Sequence, residues 1–102
     1  MSEVVILYTP PEHLAEFERR YHVDYLPVIR ALPVVSRVTT RRVVGGPLGD
    51  PPYHRIETWH LKEDATPEAA YLTGPWHTAP DTVRFARGLA TPMYVEDHEL
   101  DR

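Results

Sequence analysis

The sequence predicts an α+β domain with the element order β-α-β-β-α-β. Three observations carry this prediction. Four β-rich runs, near residues 4–8, 34–44, 53–61 and 89–95, alternate with two stretches of helical spacing. Both helical stretches open on a hydroxyl, proline and carboxylate signal. The second and third runs are joined by turn formers rather than a helix, so they pair as a hairpin in a single sheet.

Each element has a local reason. Val4-Val5-Ile6-Leu7-Tyr8 is apolar at nearly every position, the pattern of a strand buried on both faces. Thr9-Pro10-Pro11-Glu12 reads as a helix start, with Thr9 as cap and prolines in the first turn. Leu14, Phe17, Tyr21, Tyr25, Val28 and Leu32 follow at steps of three and four, which keeps them on one helix face. Pro27 should kink this helix by removing a hydrogen bond and crowding the preceding turn, with Asp24 recapping the second half. Leu32-Pro33 ends it. Val34 to Val44, rich in Val, Thr and Arg, is the second strand. Gly45-Gly46-Pro47-Leu48-Gly49-Asp50-Pro51-Pro52 then turns the chain.

In Tyr53 to Leu61, alternation puts His54, Ile56, Thr58 and His60 on one face and Arg55, Glu57, Trp59 and Leu61 on the other. Thr66-Pro67-Glu68 opens a second helix, Gly74-Pro75 breaks it, and Thr78-Ala79-Pro80-Asp81 restarts it with another capping pattern. Gly88 suits the C-terminal cap. Leu89 to Val95 is the fourth strand, and Glu96 to Arg102 an acidic, solvated tail. The order is the split βαβ arrangement of ferredoxin-like domains. The helices cover one sheet face, and nothing in the chain covers the other. A homodimer with two sheets face to face is therefore expected.

Composition excludes several classes. At 102 residues there is room for one domain, and 42% hydrophobic content argues against disorder. With no cysteine there is neither a disulfide framework nor thiolate chemistry. No apolar run reaches the ~20 residues of a membrane span, and Met1-Ser2-Glu3 carries no basic leader, so a cytoplasmic location is expected. A net charge of −4 with scattered arginines argues against nucleic acid. Gly45-Gly46 lies between strands and precedes proline, so it is no phosphate loop. His54 and His60 stand ~20 Å apart along one strand, too far to share an ion. Neither a metal nor a cofactor is expected.

The chemistry-bearing stretch is Tyr71-Leu72-Thr73-Gly74-Pro75-Trp76-His77, a phenol and an imidazole six residues apart across a Gly-Pro break. An imidazole of reference pKa ~6.5 can take a proton, and a phenol of pKa ~10 can donate a hydrogen bond while uncharged. Turned inward together, they form an acid–base pair; the competing reading makes Tyr71 core and His77 a helix-end residue. His77 precedes the expected cap Thr78, where the helix's partial positive charge favours a neutral ring, and Asp81 stands where it could orient that ring. Trp59 and Trp76 either line a pocket for a flat ligand or fill the core. Tyr25 faces the space between helix and sheet where Pro27 loosens the helix, whereas Tyr21 reads as packing. Tyr8 and His22 complete the residues expected around a substrate.

Phe17-Glu18-Arg19-Arg20-Tyr21, Tyr25-Leu26-Pro27, Leu32-Pro33 and the Gly45 to Tyr53 loop together resemble the EthD-like proteins across most of the chain. That resemblance implies the dimeric α+β barrel superfamily, which includes polyketide cyclases, cofactor-free monooxygenases and muconolactone isomerases. The Tyr71-x-x-x-Pro75-x-His77 pattern resembles that of plant polyketide cyclases, which implies His77 as base and Tyr71 as donor to an enolate oxygen. Tyr25 stands where many EthD-like sequences carry a histidine, and His22 lies on the adjacent helix face. The expectation is a small cofactor-independent enzyme, a polyketide-type cyclase acting on a hydrophobic oxygenated substrate. A cofactor-free monooxygenase and a non-catalytic ligand-binding or structural dimer are the alternatives.

Overall fold

The computed structural model describes residues 2–100. Four strands, β1 (Ser2–Tyr8), β2 (Val35–Arg42), β3 (Arg55–Leu61) and β4 (Ala90–Glu96), form one antiparallel sheet in the order β2-β3-β1-β4. The split βαβ order is the expected one, with β3 inserted between β1 and β2. Val4, Ile6 and Tyr8 stand opposite Trp59, Glu57 and Arg55, all on the helix side of the sheet. The intervening pairs, Val5 with Thr58 and Leu7 with Ile56, point to the other side. A register shift between Val35 and Arg37 bends β2 at its start.

The first helical stretch runs as α1 (Leu14–Arg20), a π-helical turn (Tyr21–Tyr25) and α2 (Leu26–Arg30). Pro27 has no N–H and its ring would collide with the carbonyl four residues back. The chain meets this with a widened turn directly before the proline instead of a simple kink. The widened turn also redirects the apolar stripe. Phe17, Tyr21, Tyr25 and Ile29 are buried at successive steps of four, whereas Leu14 and Val28 of the expected stripe are exposed. In an α-helix three such steps would drift around the axis; the extra residue per turn takes up the drift.

Capping differs from expectation in three places. Thr9 caps no helix, because Pro10 and Pro11 hold the backbone extended and α1 starts at Leu14 after His13. Its backbone N–H instead bonds the Leu89 carbonyl at 2.9 Å. Asp24 makes no cap for α2, since the helical backbone runs on through Tyr25 and leaves no free turn to cap. Thr78 does not start a helix either. Its hydroxyl donates back to the Gly74 carbonyl at 2.8 Å and closes α4 (Pro75–Thr78), and α5 (Pro80–Val83) follows Ala79 without a side-chain cap. Thr66 does cap α3 (Pro67–Thr73), accepting from the Ala69 N–H at 3.2 Å. A single 3₁₀ turn (Arg84–Ala86) leads to Gly88, whose φ of +84° suits the expected helix-end position.

Gly74 is needed where α3 gives way to α4. A Cβ there would lie 3.2 Å from the Trp59 ring and 3.3 Å from the Ala70 carbonyl, so the break is packed against β3. The far face of the sheet carries Val5, Leu7, Ile56 and Met93 in its centre, with Glu3, Arg37, Arg41 and His60 at its margin. No element among the described residues covers it. The tail from Asp97 to Leu100 is exposed, and Asp101 and Arg102 lie outside the described residues.

Candidate functional site

Alternation along β3 places a carboxylate, Glu57, on the helix side between Arg55 and Trp59, where it is fully buried. Taking a carboxylate out of water costs several kcal/mol unless donors replace the solvent. Four do so here. The hydroxyls of Tyr8 and Tyr21 both donate to Glu57 Oε1 at 2.8 Å. The Tyr25 hydroxyl and the Trp59 indole N–H donate to Oε2 at 2.6 and 2.5 Å. Tyr8 comes from β1, Trp59 from β3, and the two remaining tyrosines from the π-helical turn. That turn stacks the Tyr21 and Tyr25 rings 5.4 Å apart, so both phenols reach one carboxylate.

Burial pushes the Glu57 carboxyl above the usual carboxylate range, and the four donors only partly offset this. The three phenols are raised well above the usual tyrosine range, first by burial and then by the Glu57 charge. Each therefore holds its proton more tightly than a free phenol. Two chains of hydrogen bonds leave this cage. Trp76 on α4 donates its indole N–H to the Tyr25 hydroxyl at 2.8 Å. On the other side Tyr21 and Thr40 hydroxyls lie 2.8 Å apart, and Arg55 donates to the Thr40 hydroxyl at 3.0 Å. Since the Tyr21 proton goes to Glu57, Thr40 donates to Tyr21.

Thr40 also lines a cleft of about 460 Å³ between α2 and β2, together with Leu26, Arg30, Ser36, Arg37 and Val38. The route from that cleft into the interior is thus a file of hydroxyls ending on a buried carboxylate. Arg55 ties this file to a second carboxylate, Glu18 on α1, through contacts of 2.7 and 2.8 Å. His54 reaches the same carboxylate at 2.8 Å and His22 at 3.3 Å. The Arg55 Nε is buried and has no partner.

Of the residues expected to bind substrate, Tyr8, Tyr25, Trp59 and Trp76 converge on the Glu57 cage. His22 does not; it is half exposed beside Glu18. Among the described residues neither Tyr71 nor His77 forms a hydrogen bond to Glu57, although Tyr71 packs on the cage residue Trp59. Tyr71 is half-buried, stacked on Trp59 with ring centres 6.3 Å apart and edge-on to Tyr94. His77 is exposed, in the last turn of α4, and no hydrogen bond joins it to Tyr71 among the described residues. Asp81, expected to orient that ring, pairs with Arg84 instead. Glu57 and Thr40 were not singled out from the sequence, and Tyr21 was read as packing. The available signal was Glu57 itself, a carboxylate on the strand face that also carries Trp59 and Leu61. Among the described residues no group of three or more His, Asp or Glu is placed to hold a metal ion, and no helix is long and apolar enough to cross a membrane.

No protein-family model and no curated protein matches the chain. Solved structures do. An ethyl tert-butyl ether D (EthD) family protein of Bacillus halodurans superimposes with a TM-score of 0.82 at 24% identity, covering 96% of this chain and 99% of that one. HapK of Hahella chejuensis gives 0.60 at 20% identity over 100% and 97% of the two chains. A DABB family protein of Mesorhizobium loti, described as having a ferredoxin-like fold, gives 0.60 at 18% identity over 96% and 98%. At these identities the likeness is one of architecture. The chain is a ferredoxin-like α+β domain of the kind these EthD and DABB family proteins share.

Proposed function

We propose that this protein is a cofactor-independent acid–base enzyme acting on a small, hydrophobic, oxygenated organic molecule, with polyketide-type cyclisation as its reaction. The observation that supports this reading is the buried Glu57 carboxylate joined to a solvent-reached cleft by the Tyr21 and Thr40 hydroxyls. A base held in a dry site with a raised pKa is matched to removing a proton from a carbon next to a carbonyl. The substrate proton passes to Thr40 as the Thr40 proton moves to Tyr21 and the Tyr21 proton to Glu57. The resulting carbanion attacks a carbonyl carbon of the same molecule, and the proton returns along the file to the new alkoxide. Tyr25, held by Trp76, keeps Glu57 fixed during both transfers.

This assigns to Glu57, Tyr21 and Thr40 the work that the sequence motif suggested for His77 and Tyr71. The uncovered sheet face fits a second copy of the chain, and a homodimer is part of the proposal. The test is cofactor-free turnover of poly-β-oxo thioesters, followed by chromatography and mass spectrometry for a cyclised isomer of unchanged mass, or for its dehydrated form where the new alcohol is then lost as water. Glu57→Gln should lower the rate about 100-fold or more while His77→Ala leaves it unchanged. The reverse result would return the chemistry to His77 and Tyr71. Incorporation of oxygen would make the protein a monooxygenase, and no turnover of any such substrate would leave a binding or structural dimer.

A further inference from the structure

A hydrogen-bonded chain of three side chains crosses the sheet face that the helices do not cover. Glu3 on β1 stands opposite His60 on β3, and its Oε2 lies 2.7 Å from His60 Nδ1. Thr39 on β2 belongs to the next cross-strand pair on this face, and its hydroxyl lies 3.0 Å from His60 Nε2. A carboxylate can only accept, so the Nδ1–H donates to Glu3. In the neutral ring Nε2 then holds a lone pair, and the Thr39 hydroxyl donates to it. The result is a hydroxyl resting on an imidazole base, with a carboxylate fixing the tautomer of that base. Each group comes from a strand, and the three strands are hydrogen-bonded neighbours, so the sheet itself holds the spacing.

The surroundings suit a reacting centre. The Glu3 and His60 side chains are only 23% and 21% exposed, yet a cleft of about 520 Å³ reaches both of them together with Thr39. Arg37 and Arg41 flank Thr39 on the same strand face and line that cleft, and neither has an acidic partner among the described residues. The uncompensated charge here is therefore positive, the sign that a developing oxyanion requires. The face also divides by strand. Val5 and Leu7 on β1 with Met93 and Val95 on β4 are apolar, whereas β2 at the sheet edge presents Arg37, Thr39 and Arg41. A second copy centred on the apolar half leaves the β2 half at its rim, within reach of a small molecule.

We infer that Thr39 is the nucleophile of a second site, one that takes activated acyl groups such as esters or thioesters of small carboxylic acids. The Thr39 oxygen attacks the acyl carbon as His60 Nε2 takes the hydroxyl proton. The tetrahedral intermediate expels the alcohol or thiol, which leaves with that proton, and the acyl group stays on Thr39 as an ester. Water then attacks this ester, passing a proton through His60 to the Thr39 oxygen, and the carboxylic acid departs. Glu3 orients the ring throughout. The inference goes beyond the acid–base reading above and does not rest on it, because Glu57 lies on the helix side of the sheet.

The experiment mixes the full chain with p-nitrophenyl acetate, follows release of p-nitrophenolate, and maps acetylated positions by peptide mass spectrometry. The acetyl group should be found on Thr39. His60→Gln should slow its transfer about 100-fold, and Glu3→Gln about 10-fold. Thr39→Val should abolish it, and Thr39→Ser, which keeps the hydroxyl, should retain it. Valine is close to threonine in size and suits a strand, so circular dichroism should show that variant folded. Should the His60 or Glu3 variant unfold, the valine and serine pair decides alone. No acetyl group on Thr39, acetylation confined to lysines or tyrosines, or release by Thr39→Val at the wild-type rate overturns the site. So does a wild-type rate in folded His60→Gln, since the three side chains would then only tie strands together.

Discussion

Glu18 and Glu57 are joined through Arg55, Thr40 and Tyr21, yet the fold treats the two carboxylates in opposite ways. Glu18 is about a quarter exposed and meets cations: Arg55 at 2.7 Å, with His54 and His22 beside it. Glu57 is fully buried and meets only neutral donors, three phenols and an indole. Burial raises both. At Glu18 the hydrogen bonds from Arg55 and His54 outweigh it and hold the carboxyl below the usual range. At Glu57 four neutral hydrogen bonds do not, and the carboxyl stays raised. The lesson is that satisfying a buried carboxylate and stabilising its charge are different things. A cage of phenols does the first without fully doing the second, and leaves a group able to take a proton.

The largest expected effect comes from breaking the cage. Glu57→Leu leaves four buried donors facing a methyl group and should cost roughly 4–5 kcal/mol, close to the whole stability of a domain this small. Chemical denaturation would read it, and a loss below 1 kcal/mol would mean the cage is open to water. Glu18→Ala strands the buried Arg55 beside Tyr21, but water reaches this end of the sheet, so about 2 kcal/mol is expected. Tyr21→Phe removes one donor to Glu57 and the partner of Thr40, and should cost about 1–2 kcal/mol by the same measurement.

Titration sharpens the contrast, because the two carboxylates predict opposite slopes. The Glu57 pKa is higher folded than unfolded, so its favourable contribution is complete below the usual carboxylate range and lost as pH rises through the folded value. The stability gap between the native protein and Glu57→Gln should therefore narrow upward from that range. For Glu18 the folded pKa is lower, so its contribution is complete above the usual range and lost as pH falls through the folded value. The gap to Glu18→Gln should widen with rising pH. Parallel slopes in denaturation curves at several pH values would show that the neighbours do not act as described. The smallest effect belongs to His22→Ala. Its contact with Glu18 is half exposed, and less than about 0.5 kcal/mol is expected.

The element order was readable from local periodicity and turn formers, and the parity of β3 because side-chain alternation has period two. The Thr66 cap and the Gly74-Pro75 break were readable for the same reason: each rests on residues within one turn. The π-helical turn was not, since Pro27 announces a disturbance without saying whether the helix kinks or widens. Thr9 and Thr78 were misread as caps because a hydroxyl near prolines has the composition of a helix start whichever way the backbone turns. The Glu57 cage draws on residues 8, 21, 25, 57 and 59, and no spacing rule connects those positions.

By itself, then, the chain specified one sheet, two helical stretches on one side and a strand face that groups Glu57 with Arg55, Trp59 and Leu61. Only the folded arrangement decided what the Glu57 carboxylate meets, because phenols 32 to 49 residues away are brought to it by strand pairing and helix docking. The same arrangement turned Tyr21 from an apolar stripe residue into a link between cleft and core. Periodicity says which side of an element is buried; the environment waiting there is a property of every other element at once.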